Sequence, residues 1–309
     1  MKLAFFCNYL NHHQVCIADS LFSLLKKDFV FVATLPRNKK ELKGGVDYSN
    51  RPYCLLACES EEGHLQALEF ARIAEVCVFG ACSQEYATER AKQKNCGIAF
   101  ELGERWLKRG WINVLSPVLR RWWVNYMRFY RTAPYYKLCS SAFTAHDDEK
   151  IGCYKGRHFK WGYFTEVATN LETLGTHNVC ETVSIMWCSR FIDWKHPELA
   201  LDCVKRLKED GYNIVLDMYG DGPLLKDSEA WVKNHALSDV VKFHGNVPNT
   251  QIHLAMRNSS IFLFTSDRQE GWGAVANEAM SAGCCLVGNN EIGAVQDIEA
   301  ISRAIKGKK

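Results

Sequence analysis

Four times in succession between residues 182 and 283, a short apolar run hands over to a longer stretch of helical period. TVSIMWCSRF precedes HPELALDCVKRLKEDG, and NIVLDMYGDG precedes LKDSEAWVKNHAL. VVKFHGNV precedes NTQIHLAMRNS, and IFLFTS precedes AVANEAMSAG. Short apolar runs that repeat in alternation with helices suit parallel strands joined by crossover helices. Pro197 stands in the first turn of its helix and Gly211 just past the end, the expected start and stop signals. This half is therefore expected to be a doubly wound parallel sheet.

The first half repeats the pattern less regularly: KLAFFCNY, the helical HQVCIADSLFSLLKKD, the strand FVFVATL, then EVCVFGA and the helical SQEYATERAKQKN. APYYKLCSSAFTAHDDEKIGCYK reads as a strand, a polar break at 144–148 and a short helix. At 309 residues the chain is long for one core and comfortable for two. The weakly periodic, mostly polar segment after Phe164 separates the halves. The expected organisation is α/β: two Rossmann-like doubly wound domains facing a cleft, residues 1–165 and 179–309, joined by a linker at 166–178. A ligand is expected where the strand ends face each other.

Composition narrows the function classes. A formal charge of +3 is too small by itself to argue for nucleic acid or membrane. The fourteen cysteines contain no C-x-x-C pair. Cys58, Cys77, Cys188 and Cys285 lie inside apolar runs, so buried reduced thiols in a cytoplasmic protein are expected. MKLAFFCNYL reads as a first strand rather than a signal peptide. No run approaches the ~20 apolar residues of a membrane span.

The last unit carries the chemistry. Glu270 and Glu278 flank the turn Gly271-Trp272-Gly273, between a strand and the helix AVANEAMSAG, which Gly283 ends. Backbone N–H groups at such a turn, with the positive end of the helix dipole, make an anion site that glycines let a phosphate approach. Glu278 stands about five residues into the helix, roughly 7–8 Å along its axis, an offset suited to a nucleotide's ribose. Taken singly, Glu270 reads as a cap and Glu278 as a solvated helix residue. Together around this turn they read as a ligand grip.

EGWGAVANE followed by AMSAG resembles the E-x7-E signature of the retaining glycosyltransferases of sequence family 4, which have two Rossmann-like domains and use nucleotide-sugar donors. WCSRFIDWKHPELALDCVKRL, MYGDGP and FHGNVPNTQI extend the resemblance through the second half. AFFCNYLNHHQ, RAKQKNCGIAFELGERWLKRG and CSSAFTAHDDEKIGCYKGRHFKWGYF are similar, less specifically, to bacterial polysaccharide-associated members. The resemblance implies that Arg190 and Lys195 neutralise the donor diphosphate and that Glu270 binds sugar hydroxyls. It further implies that Gly271, Trp272 and Gly273 hold the phosphates by their backbone, with Gly220 at the next strand end, and that Glu278 holds the ribose. Charge-assisted bonds of roughly 1.5–3 kcal/mol each correspond to ~10- to 100-fold in rate where they strengthen at the transition state. No D-x-D occurs in the chain, so no metal is expected, and no cofactor beyond the nucleotide-diphosphate sugar donor.

The first domain is expected on the acceptor side, with His13 or His12 at the first strand's end facing the cleft, although a surface histidine explains each equally well. The resemblance implies a glycan or lipid-linked acceptor in surface polysaccharide synthesis. Residues 105–146 hold eight Lys/Arg and no acidic residue. Leu119, Trp122, Tyr126 and Phe129 share one helical face there, while Arg120, Arg121, Arg128 and Arg131 lie mostly elsewhere. Two readings stay open: a surface helix touching anionic lipid at the inner face of the membrane through 105–131, or a helix packed on the sheet. No RNA-binding motif accompanies the aromatic–basic mix, so no nucleic acid partner is expected. The family continues past NEIGAVQDI into further βα units, so the second domain is expected to lack its last ones. The rival functions are a sugar-nucleotide epimerase of the same fold and an inactive membrane-surface adaptor.

Overall fold

The computed structural model describes residues 1–36, 47–93, 97–165 and 182–298. The expected linker lies outside them. The chain divides into two compact units, Met1–Thr165 and Glu166–Lys309.

The first unit is a parallel seven-stranded sheet. Its strands are β1 (Leu3–Cys7), β2 (Phe29–Ala33), β3 (Cys54–Leu56), β4 (Val76–Phe79), β5 (Ile98–Gly103), β6 (Tyr135–Cys139) and β7 (His158–Lys160), in the spatial order β3-β2-β1-β4-β5-β6-β7. Among the described residues, five α-helices accompany it: α1 (Val15–Leu25), α2 (Glu61–Ile73), α3 (Gln84–Lys92), α4 (Pro117–Asn125) and α5 (Thr144–Lys150). β1 and β2 are apolar at every position because both faces are covered. Ala4, Phe6, Val30 and Val32 join one cluster, while Phe5, Cys7, Phe29 and Phe31 join the other. The period-2 alternation of side chains thus splits a continuous apolar run between two cores.

Among the described residues, the second unit has five parallel strands, β8 (Val183–Cys188), β9 (Ile214–Tyr219), β10 (Val241–Gly245), β11 (Ile261–Phe264) and β12 (Cys285–Gly288), ordered β10-β9-β8-β11-β12. Its helices are α6 (Pro197–Glu209), α7 (Leu225–Asn234), α8 (Asn249–Arg257) and α9 (Ala274–Ser281). On α6, Ala200, Leu201 and Val204 pack with Ile185, Trp187 and Leu216 in one cluster. In both sheets the strand order reverses beside the first strand, which places a switch point between β1 and β4 and another between β8 and β11.

Two expectations change, and one open reading is decided. The segment read as a polar break at 144–148 is helix α5 itself. Thr144, Asp147 and Asp148 face inward, and Asp147 accepts from Arg105 Nε at 3.0 Å and from the Leu107 amide at 3.0 Å. Among the four cysteines, Cys77 is buried and Cys188 half-buried, but Cys58 and Cys285 are exposed. Cys58 sits in the turn after β3, and Cys285 on the outer face of β12, which among the described residues pairs with β11 alone. The stripe Leu119, Trp122 and Tyr126 is core rather than lipid-facing, with Phe129 partly buried against it.

Asp148 on α5 is fully buried and neither of its carboxylate oxygens accepts a hydrogen bond. Burial pushes its pKa up from 3.8 to about 7; Lys137 opposes the rise, while Glu101, Asp147 and Glu149 add to it. His158 Nε2 stands 3.8 Å away. A carboxyl that is easier to protonate when folded stabilises the protein in acid, and that stability is lost as pH rises from about 4 through about 7. Asp148→Asn is expected to remove this slope, gaining on the order of 2–4 kcal/mol over wild type at pH 8 relative to pH 4. Urea denaturation at a series of pH values checks it.

Candidate functional site

The site in the second unit is built by the two loops that leave β8 and β11 side by side at the switch point. Three hydrogen bonds stitch them. The Trp187 indole donates to Thr265 Oγ1 at 2.8 Å, and the Thr265 hydroxyl donates to the Lys195 carbonyl at 2.7 Å. The Asp267 amide donates to the Trp194 carbonyl at 3.0 Å. Lys195, 9% exposed, thereby brings its ammonium against the Glu270 carboxylate. The same ammonium lies 4.1 Å from the Trp194 ring centroid, and Arg190, exposed, lies 5.6 Å from it. One indole thus gathers two cations at the mouth of the loops.

After Glu270 the chain turns sharply. Gly273 has φ of 86° and is the residue before α9; a Cβ there would stand 2.5 Å from the Phe264 ring. Only glycine fits, and no side chain caps the helix. The first-turn N–H groups are therefore left without a side-chain acceptor, the condition for anion binding. Trp272 is buried; its indole donates to Asn277 Oδ1 at 2.8 Å and its carbonyl accepts from the Ala294 amide at 3.2 Å. The Trp272 ring therefore fixes the turn, and any phosphate contact it makes is through its backbone.

Glu278 is in the second turn of α9, where burial raises its pKa to about 7. Burial also pushes the Cys188 thiol, at the end of β8, up to about 12; the Glu278 charge adds to the rise and Lys195 opposes it. Cys188 thus lies within electrostatic reach of both. Gly220, at the end of β9, has φ of 124°, and a Cβ there would lie 1.8 Å from the Ser189 carbonyl oxygen. Its amide donates to Gly245 at 2.8 Å, while the Ser189 amide donates to Tyr219 at 3.1 Å. Gly220 thus lets two backbones close together beneath the loop that carries Arg190. The structure brings Lys195 and Glu270 into contact, sets Arg190 on the same indole, and places Glu278 one helix turn beyond the glycine corner.

In the first unit, His13 lines a cavity of about 760 Å³ whose wall includes the ends of β1, β4, β5 and β6; His12 is not part of that wall. The His13 amide donates to Asn11 Oδ1 at 2.9 Å, its carbonyl accepts from Phe164, and its ring stacks on Tyr163 at 5.1 Å. Burial, helped by neighbouring His12 and opposed by Glu104, pulls its pKa down to about 4, so the ring is neutral at pH 7. The cavity also holds groups that sequence reasoning missed. Glu101 and Lys137 lie inside apolar strands, IAFELG and YYKLC, and meet at 2.7 Å. A charge inside a strand that is otherwise apolar was the available signal.

The comparisons with known proteins bear on both units. Residues 181–301 match the family model described as glycosyl transferases group 1. A 2-deoxystreptamine glucosyltransferase of Streptomyces kanamyceticus is 36% identical over 90 residues; the alignment takes in 29% of this chain and 22% of that protein. The apo form of the lipopolysaccharide outer core galactosyltransferase WaaB superposes with a TM-score of 0.66 at 14% identity, covering 96% of this chain and 83% of that one. HepE from Anabaena in complex with UDP gives 0.62 at 16% identity, covering 96% and 82%. At those identities the likeness shows a shared fold of two Rossmann-like domains. The span that matches the glycosyl transferases group 1 model takes in the strands β8 to β12 and the loops just described.

Proposed function

We propose that the chain is a retaining, metal-independent glycosyltransferase, moving a hexose from a nucleotide-diphosphate sugar to a hydroxyl of a glycan or lipid-linked acceptor. The observation that carries this reading is the meeting of Lys195 and Glu270 beside an uncapped helix start at the switch point. In the donor complex, Lys195 and Arg190 take the growing charge of the leaving diphosphate, together with the amides of residues 271–273. Glu278 accepts from the ribose hydroxyls, and Glu270 from the sugar's hydroxyls while orienting Lys195. The bond from the anomeric carbon to the phosphate oxygen breaks as the bond to the acceptor oxygen forms on the same face. The acceptor proton passes to the leaving phosphate, so no side-chain base is assigned. The absence of D-x-D from the sequence supports neutralisation by these basic groups in place of a divalent ion.

The first unit supplies the acceptor side through the cavity that His13 lines. No described helix is long and apolar enough to cross a membrane. Peripheral contact through 105–131 falls to a different surface from the buried stripe: Trp111, Ile112, Leu115, Val118 and Val124 are all more than half exposed, and Arg109, Arg120 and Arg121 lie exposed among them.

A thermal-shift panel of UDP-, GDP- and ADP-sugars tests the reading, UDP first because HepE was solved with it. One donor is expected to raise the melting temperature, and Glu278→Ala to abolish the rise. Since burial holds Glu278 near 7, the wild-type affinity should strengthen between pH 6 and 8 as the carboxylate forms to accept the ribose. An unchanged shift in Glu278→Ala would put the donor elsewhere. Product analysis separates transfer from epimerisation, which would release nucleotide or free sugar without an acceptor.

A further inference from the structure

One residue stands between Lys195 and Pro197, the first residue of α6, and its backbone is left-handed. His196 has φ of 48° and ψ of 57°, a region that a side chain with a Cβ enters at a steric cost. Held there, its ring reaches both loops of the site. Nδ1 is 2.7 Å from Glu198 Oε1 on α6, and Nε2 is 3.5 Å from Asp267 Oδ2 on the loop after β11. His196 and Asp267 are half-buried and Glu198 is exposed. Among the described residues these two carboxylates are the charged groups that face the ring; Lys195, next along the chain, turns to Glu270.

Asp267 shapes the turn that ends in Glu270. Its amide is tied to the Trp194 carbonyl, its Oδ1 accepts from the Gln269 amide at 2.8 Å, and its carbonyl accepts from the Glu270 amide at 3.0 Å. Where the Asp267 carboxylate is held therefore bears on where Glu270 leaves the turn. A neutral imidazole has one N–H, so it serves one carboxylate and turns a lone pair on the other. The imidazolium donates from both nitrogens and satisfies both. Burial lowers the pKa of His196, but Glu198 and then Asp267 more than reverse this and leave it above its ordinary 6.5.

We propose that His196 is a positioning residue of the donor site, whose imidazolium straps the Asp267 turn to the start of α6 and so keeps Glu270 against Lys195. Its part in transfer rests on the donor reading above; the strap itself does not. The strap is complete in acid and is lost as pH rises through a midpoint above 6.5. Glu278 runs the other way, its carboxylate forming near 7. The two also differ in what they move. Glu278 governs donor affinity, whereas His196 acts through the pair that meets the leaving group and so governs kcat.

The test uses the full chain, labelled for NMR and titrated from about pH 5.5 to 9, beside two variants. His196→Gly removes the ring and suits the left-handed corner, so it should melt no lower than wild type. Asp267→Asn removes one charge and keeps an acceptor for the Gln269 amide. In wild type the His196 ring and the amides of Asp267, Gln269 and Glu270 are expected to titrate together above pH 6.5. Asp267→Asn should lower the ring's midpoint, and His196→Gly should abolish that step in the amides. At saturating donor, wild-type kcat should fall about two- to fivefold as the strap opens, the scale of one part-exposed ion pair. His196→Gly should start at the lower value and show no such fall. A ring midpoint at or below 6.5, turn amides that titrate unchanged in His196→Gly, or wild-type kcat in that variant at pH 6 each overturns the proposal. A panel of nucleotide sugars that leaves the wild-type melting temperature unmoved strikes the donor reading instead, and the NMR titration then judges the strap by itself.

Discussion

Lys195→Ala is expected to lower turnover of the nucleotide-sugar donor by about 10²- to 10³-fold, the usual cost of removing one preorganised charge partner from a transition state. Two features put the effect at the high end. Lys195 is 9% exposed, so water does not replace the lost charge. Its removal also leaves Glu270 as a half-buried carboxylate without its cation, beside the helix start at which the proposal puts the diphosphate. The loss should fall mainly on kcat, because the diphosphate's charge grows as the bond breaks. Lys195→Arg should restore part of the activity, since the charge returns without the compact ammonium geometry. A coupled assay of released nucleotide at saturating donor reads both. Turnover above a tenth of wild type in Lys195→Ala would mean that this pair does not face the donor.

Gly220→Ala is expected to have the largest effect on the fold. The added Cβ meets the Ser189 carbonyl oxygen at 1.8 Å, a backbone atom that no rotamer change can move, and φ of 124° is costly for any L side chain. Loss of roughly 3 kcal/mol or more is expected, or about 10 °C in melting temperature for a unit of this size. Because the displaced backbone is the loop that carries Arg190, donor-induced stabilisation should weaken in parallel. A variant that melts normally but no longer responds to nucleotide would instead mark Gly220 as a direct phosphate contact, the role that family resemblance implies. Equilibrium denaturation and the thermal-shift panel on one preparation separate the two roles.

How much was legible in the sequence varies with how local the signal was. The alternation in the second half, the Pro197 and Gly211 boundaries and the turn before α9 could all be read directly, because each depends on a few neighbouring residues. β3 and α2 escaped notice, since a three-residue strand carries too short an apolar run to stand out beside its loops. The stripe around Trp122 was correctly found, but its surroundings stayed open between sheet and lipid. Periodicity reports that one face is apolar and is silent on whether sheet or lipid covers it. The exposed apolar residues, Trp111 and Leu115 among them, lie on and before the same helix and break its amphipathic logic, and only the folded chain shows it.

By itself the sequence determined the parallel α/β architecture, the glycine corner at 271–273 and the spacing of Glu270 to Glu278, because strand–helix alternation and turn chemistry are written in neighbouring residues. Tertiary structure alone decided that Lys195 meets Glu270, 75 residues away, and that Glu101 and Lys137 from adjacent strands close a charge pair inside a cavity. Such pairings depend on which strands lie side by side, and strand order is set by how whole faces pack rather than by any local run of residues.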